Sequence, residues 1–170
     1  MRSLLSASLL AVAGLCYSAT FLSAGEYNEV LSVGDGAPAW KQLPGTDGSQ
    51  HALADLQQTP VVVVVFTCVS CPTARDYEDR LNALARQFSS ADSQVAVVAI
   101  CVNKVPEDQL PALTVHQREK QLQFHYLYDE TQQIARDYGA IFTPQFFVLN
   151  AERKIVYMGA MDDSTDPKMV

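Results

Sequence analysis

The sequence predicts one α/β sandwich with a mixed sheet. Three observations carry that prediction: two apolar, β-branched runs at 61–66 and 95–102, segments of helical period after each, and a closing pair of strand-like segments around a turn at 150–153. With 170 residues, 48% hydrophobic and 18% charged, the chain is long enough and apolar enough for a single core. Its composition excludes collagen, a coiled coil and wholesale disorder.

The first element is separate from the fold. Arg2 precedes an apolar run at 4–16 and the small residues Ser18, Ala19, Ser23, Ala24 and Gly25, so residues 1–25 read as a secretory signal peptide cut before Glu26. Ser6, Ser8 and Gly14 interrupt the run, which is also short beside the roughly 20 apolar residues of a membrane span. A retained anchor is therefore the weaker reading, and Leu15 before Cys16 argues against a lipoprotein. The remaining domain, 26–170, is expected to be periplasmic or secreted, with no stable membrane insertion.

Residues 26–38, with Gly34, Gly36 and Pro38, form an irregular lead-in. The turn formers Pro44-Gly45-Thr46-Asp47-Gly48 separate two short apolar pieces, 39–43 and 51–53, that can pair as a hairpin. Residues 61–66 are six β-branched or aromatic residues in a row, which suits a strand buried on both faces. Tyr77, Leu81, Leu84 and Phe88 then recur at i, i+4, i+7 and i+11, which predicts an amphipathic helix over 72–88 with Pro72 in its first turn. A second buried strand at 95–102, a poorer helix at 111–122 and a short strand at 124–127 follow. Asp129 as N-cap and Gly139 as C-cap predict a helix over 130–138. Strands at 145–149 and 154–158 close the chain.

Twelve Lys and Arg against nineteen Asp and Glu give a net charge of −7, and loss of residues 1–25 would remove Arg2 and no acid. Such a surface repels phosphate backbones, so nucleic acid is not expected as a partner. Of four cysteines, Cys68, Cys71 and Cys101 would remain, too few for a disulfide scaffold of the small secreted kind.

The chemistry gathers at Cys68-Val69-Ser70-Cys71, between the valine strand and the helix opened by Pro72. A thiolate at a helix N-terminus faces free N–H groups, which lowers its pKa from about 8.5 to as little as 3.5–7.5 in Cys-x-x-Cys sites. Two such cysteines can close a small disulfide and reopen it by exchange, carrying two electrons. Other readings compete. A zinc half-site needs two more ligands, but His51, His116 and His125 have no ligand spacing and Cys101 stands alone, so no metal is expected. A structural disulfide would close too small a ring to remove much chain entropy, and inert core thiols suit an oxidising compartment poorly. Thr143-Pro144, taken alone, is an ordinary strand entry. Beside the cysteines it suggests a cis proline facing the sulfurs, with Thr143 offering backbone groups to an extended substrate strand.

The succession of strand, Cys-x-x-Cys-Pro, helix and late Thr-Pro hairpin resembles the thioredoxin fold. Gly34 to Trp40, Asp47 to Leu56, Asp76 to Leu81, Tyr126 to Gln132 and Tyr138 to Pro144 are similar to segments of the redoxin branch, the AhpC/TSA and TlpA-like proteins, and above all to exported peroxiredoxin-like members. The likeness spans about 33–163. It implies a thioredoxin-like three-layer sandwich with a mixed central sheet; relatives usually continue past the position of Asp163 into a final helix, so either that helix is missing or the sequence is truncated. It further implies that Cys68 is the exposed attacking thiol, Cys71 the buried resolving one, Pro144 cis and Thr143 a substrate-binding residue. Four departures stand out. Neither cysteine fits the peroxidase register Pro-x-x-x-Thr-x-x-Cys, although Cys71-Pro72-Thr73 echoes it. Ala74 replaces an acid of that motif, and the peroxide-side arginine is missing. Thioredoxins also carry a buried acid in the first long strand, where this chain has only valines, so the proton-handling residue is unassigned.

The resulting expectation is a thiol-disulfide oxidoreductase needing no cofactor, acting on a protein disulfide or thiol with an unidentified electron donor. Because Val69 and Ser70 add no positive charge, a reductant or exchange partner is expected rather than a strong oxidant. The alternatives are a thiol peroxidase acting on hydroperoxides through a sulfenic acid, and a non-catalytic redoxin-like binding module. Cys101 is expected to be a buried small hydrophobe, the three histidines structural or superficial, and Arg75, Asp76 and Glu78 a solvated helix face.

Overall fold

The computed structural model describes residues 28–90 and 93–170. The signal-peptide reading falls on 1–25, outside the described residues. The elements are β1 (Leu43–Pro44), β2 (Gln50–His51), β3 (Val61–Phe66), α1 (Pro72–Gln87), β4 (Val95–Cys101), α2 (Leu110–Lys120), β5 (His125–Tyr128), α3 (Gln133–Tyr138), β6 (Gln145–Leu149) and β7 (Ile155–Gly159). Single 3-10 turns at Leu53–Leu56 and Pro106–Asp108 precede β3 and α2.

Five strands form one sheet in the order β5-β4-β3-β6-β7, with β3–β4 and β4–β5 parallel and β3–β6 and β6–β7 antiparallel. The valine run is its central strand, and side-chain alternation along it feeds two separate cores. Val62, Val64 and Phe66 pack with Trp40, Leu53, Ile134 and Tyr138 on the α3 side. Val63 and Val65 pack with Leu81 and Ala85 of α1 and Leu113 of α2 on the other. A strand sandwiched this way needs no polar face, which is why six apolar residues run unbroken. The result is the three-layer α/β sandwich with a mixed sheet.

Three local expectations are corrected. α3 starts at Gln133, not 130, because Gln132 sits in the left-handed region (φ 62°) and the Asp129 carboxylate accepts the N–H of Thr131 at 2.9 Å and of Ile134 at 2.9 Å. Asp129 thus caps a tight turn and the helix together, and Gly139 closes it in the left-handed conformation as expected. The early hairpin pairs Leu43 with His51 and Pro44 with Gln50, so its strands are shorter than 39–43 and 51–53, and residues 53–56 coil into a 3-10 turn. α2 begins one residue early, behind the turn at Pro106–Asp108.

After β7, residues 160–170 carry no helix. They are tied to α1 by Arg80, which pairs with Asp162 and donates to the carbonyls of Ser164 at 2.8 Å and Thr165 at 3.1 Å. No helix among the described residues is long and apolar enough to cross a membrane.

Candidate active site

Three strand ends meet at one edge of the sheet. Phe66, the last residue of β3, is level with Ile100 of β4 and with Gln145 at the start of antiparallel β6. The segments beyond them, 67–71, 102–108 and 143–144, therefore converge, as ligand-bearing loops do at the carboxyl ends of strands in open α/β sheets.

All four residues singled out in the sequence arrive there. The Thr143–Pro144 peptide is cis. Cys68 Sγ lies 3.6 Å from Thr143 Oγ1, and the Cys71 thiol reaches the Thr143 carbonyl at 3.5 Å. Both cysteines are free thiols on either side of one threonine.

Their exposure is the reverse of what the family resemblance implied. Cys68 is 4% exposed, and Cys71 is the more accessible sulfur. The cause is local. The Thr67 N–H still bonds the Ile100 carbonyl just past the end of β3, so the chain does not yet turn outward and Cys68 packs into the α1 core with Val65 and Leu81. The chain turns outward only at Val69 and Ser70, and Cys71 emerges as the N-cap of α1 with Pro72 behind it. The helix-terminus argument made for the pair thus applies to Cys71.

The thiols are electrostatically unequal for the same reason. Burial pushes Cys68 up, a hydrogen bond from Thr143 opposes it, and the Asp108 charge adds to it. Burial also acts on Cys71, but hydrogen bonds from Thr143, the Ala74 and Thr73 N–H groups and the Thr73 side chain outweigh it and hold that thiol below its ordinary value. Cys101, fully buried in β4, is pushed up to about 12, chiefly by burial. Iodoacetamide applied near neutral pH to the reduced, folded protein is therefore expected to modify Cys71 first. The thiolate fraction of Cys71 rises at lower pH than that of an ordinary thiol, while Cys101 stays unmodified until denaturation, and peptide mass spectrometry across a pH series reads the order.

Sequence reasoning missed one residue of this site. Asp108, fully buried, accepts the Val69 N–H at 2.7 Å, the Ser70 N–H at 3.0 Å, the Ser70 hydroxyl at 2.5 Å and the Asn103 amide at 3.0 Å. One carboxylate thereby holds both residues between the cysteines. The buried acid that the valine strand lacks comes instead from the segment after β4. The available signal was topological: an acid soon after a parallel strand beside β3 lands next to whatever follows β3.

Arg75 and Asp76 face solvent, and Glu78 pairs with His116 and, at 4.0 Å, with Lys120, so this helix face does not address the sulfurs. Beside Thr143, however, Ile141 is 81% and Phe142 48% exposed. The buried Gln145 side chain fixes their loop by accepting the Ile141 N–H at 2.9 Å.

A model of the AhpC/TSA family matches residues 33–158. A hypothetical protein from Sinorhizobium meliloti 1021 is 32% identical, with a TM-score of 0.74 over 79% of this chain and 73% of its own. An uncharacterized conserved protein from Geobacillus kaustophilus is 33% identical, with a TM-score of 0.75 over 81% and 73%. The thioredoxin domain of a thiol-disulfide oxidoreductase from Bacteroides vulgatus is 19% identical, with a TM-score of 0.60 over 76% and 89%, a likeness of fold. No curated protein matches.

Proposed function

The chain belongs to the AhpC/TSA family and has the thioredoxin fold, and from that premise we propose that it is an exported thiol-disulfide oxidoreductase working through Cys68 and Cys71. The observation that carries this reading is the unequal pair of free thiols flanking Thr143: one sealed, the other at a helix N-cap with its pKa lowered.

The reduced protein holds two electrons in these thiols. Cys71 thiolate attacks one sulfur of a substrate disulfide, forming a mixed disulfide and expelling the other sulfur as a thiolate. Cys68 then attacks Cys71 Sγ. The Cys68–Cys71 disulfide forms, the Cys68 proton passes to the departing thiolate, and the substrate leaves as a dithiol. An external dithiol restores the pair. The roles are the reverse of those implied by the resemblance, because burial disfavours the Cys68 thiolate while the helix terminus favours that of Cys71.

The surface beside the sulfurs supports a polypeptide substrate. Ile141 and Phe142 present apolar area next to Thr143, which suits a polypeptide better than a small hydroperoxide. A second reading, thiol peroxidase, is favoured by the acidic Cys71 followed by Pro72 and Thr73. Against it, Arg75 faces solvent and Arg80 is engaged with Asp162. One paired assay decides: insulin disulfide reduction in the presence of dithiothreitol should be accelerated, whereas stopped-flow oxidation by hydrogen peroxide should be no faster than that of free cysteine. Fast peroxide oxidation without insulin turnover reverses the assignment.

A further inference from the structure

Away from the dithiol, the fold assembles a second set of chemistry-bearing side chains that are scattered in the sequence. The turn of the β1–β2 hairpin docks on the edge strand β5: Gly45 bridges Leu127, and the Thr46 N–H donates to the Tyr126 carbonyl at 2.9 Å. This seats Asp47 of the turn and His51 of β2 against His125, the first residue of β5. One ligating atom from each lies within 4.8 Å of the others. His51 Nε2 is 3.0 Å from both Asp47 oxygens, and the two imidazole centroids are 5.2 Å apart. The close approach requires Gly45, since a Cβ there would stand 2.7 Å from Asp47 Oδ1 and 2.8 Å from His51 Nε2.

A hydrogen bond accounts for Asp47 and His51. It does not account for His125, because two imidazolium rings repel and neutral ones gain little from sharing a surface site. Two imidazoles and a carboxylate are the donor set of zinc-class ions. Bonds of about 2.0–2.1 Å at tetrahedral angles separate neighbouring donor atoms by about 3.3 Å. Asp47 and His51 are already near that separation, and His125 needs to close by at most about 1.5 Å, within reach of a side-chain rotation.

The same two histidines line a cavity of about 230 Å³ together with Trp40 and Asp55. The Trp40 indole N–H is buried and has no hydrogen-bond partner among the described residues. The cavity leaves room for a non-protein ligand beside the imidazoles.

We propose that Asp47, His51 and His125 form a binding site for a divalent ion of the zinc class, with a fourth coordination position left to water. The site is independent of the dithiol reading, and the test keeps the two apart.

The experiment is calorimetric titration of Zn²⁺ into the full chain carrying Cys68→Ser and Cys71→Ser, so that those thiols cannot compete as ligands. One equivalent is expected to bind, His51→Ala and His125→Ala are each expected to weaken binding by roughly tenfold or more, and His116→Ala, which alters the Glu78 pair, is expected to leave it unchanged. Co²⁺ supplies a second readout: an intense d–d absorption of four-coordinate geometry, lost in His125→Ala. Circular dichroism melts of each variant confirm that loss of binding is not loss of fold. Absence of binding in the cysteine-substituted chain, or binding indifferent to both His51→Ala and His125→Ala, overturns the proposal.

Discussion

Replacing Cys71 by serine is expected to abolish disulfide exchange, with a loss of turnover on the order of a thousandfold or more, whereas Cys68→Ser is expected to accumulate a mixed disulfide through Cys71. The asymmetry follows from where each sulfur sits. Every pKa unit separating the two thiols is about tenfold in thiolate population at neutral pH, or about 1.4 kcal/mol. Intrinsic nucleophilicity falls with pKa on a Brønsted slope of about 0.4–0.5, which returns only about half of that advantage to Cys68 on a logarithmic scale. Access then settles the matter, because a disulfide substrate cannot reach a sulfur that is 4% exposed without prising β3 from α1. Incubation of each variant with an oxidised peptide, followed by non-reducing mass spectrometry, reads the outcome directly. Accumulation in Cys71→Ser and none in Cys68→Ser would restore Cys68 as the attacking thiol and require the end of β3 to open during the reaction.

The elements legible in the sequence are those governed by one local rule. Six apolar residues at 61–66 admit little but a strand covered on both faces, and the Tyr77, Leu81 and Phe88 stripe behind Pro72 specifies a helix whose first turn must follow Cys71. The proximity of Thr143-Pro144 to the cysteines was legible only when the two motifs were read together and with the family likeness, since seventy-odd residues of spacing carry no local signal. What stayed hidden depends on long-range placement. Asp108 sits in a polar stretch that reads as a loop, and its importance arises only because β4 lies beside β3 and delivers the stretch after it to the Val69 and Ser70 N–H groups. His51 and His125 have no ligand spacing because the metal-class donor set is closed by a hairpin folding onto an edge strand, 74 positions apart in the chain. The inverted burial of the thiols turns on the path just past β3: the Thr67 N–H bonds the Ile100 carbonyl beyond the strand's last residue, so the chain stays beside β4 and Cys68 remains in the core.

Substitution of Asp108 separates its structural from its electrostatic work. Asp108→Ala leaves two backbone N–H groups, a hydroxyl and an amide without their acceptor in a buried site. The expected cost is about 3 kcal/mol, or roughly 6–12 °C in Tm for a domain of this size, read by thermal unfolding. Asp108→Asn keeps one oxygen for the Val69 and Ser70 N–H groups but turns an amide donor toward the Asn103 amide, so part of the loss persists. Its more informative effect is on the sulfurs. The carboxylate charge disfavours the Cys68 thiolate, and the Ser70 hydroxyl, 3.8 Å from Cys68 Sγ, is bound to that carboxylate. Removing the charge lowers the Cys68 pKa and frees the hydroxyl to bond the thiolate, and both changes stabilise the reduced pair. A stabilised dithiol is a stronger oxidant, so a glutathione redox titration should show the midpoint moving to more positive potential, by about 30 mV for each tenfold change in the exchange equilibrium. A variant that loses stability with its potential unmoved would make Asp108 a staple for the Cys68–Cys71 turn and nothing more. A potential that moves while stability holds would mean that the negative charge, rather than the hydrogen bonds, is what the fold keeps there, and that it biases this protein toward giving electrons to disulfides.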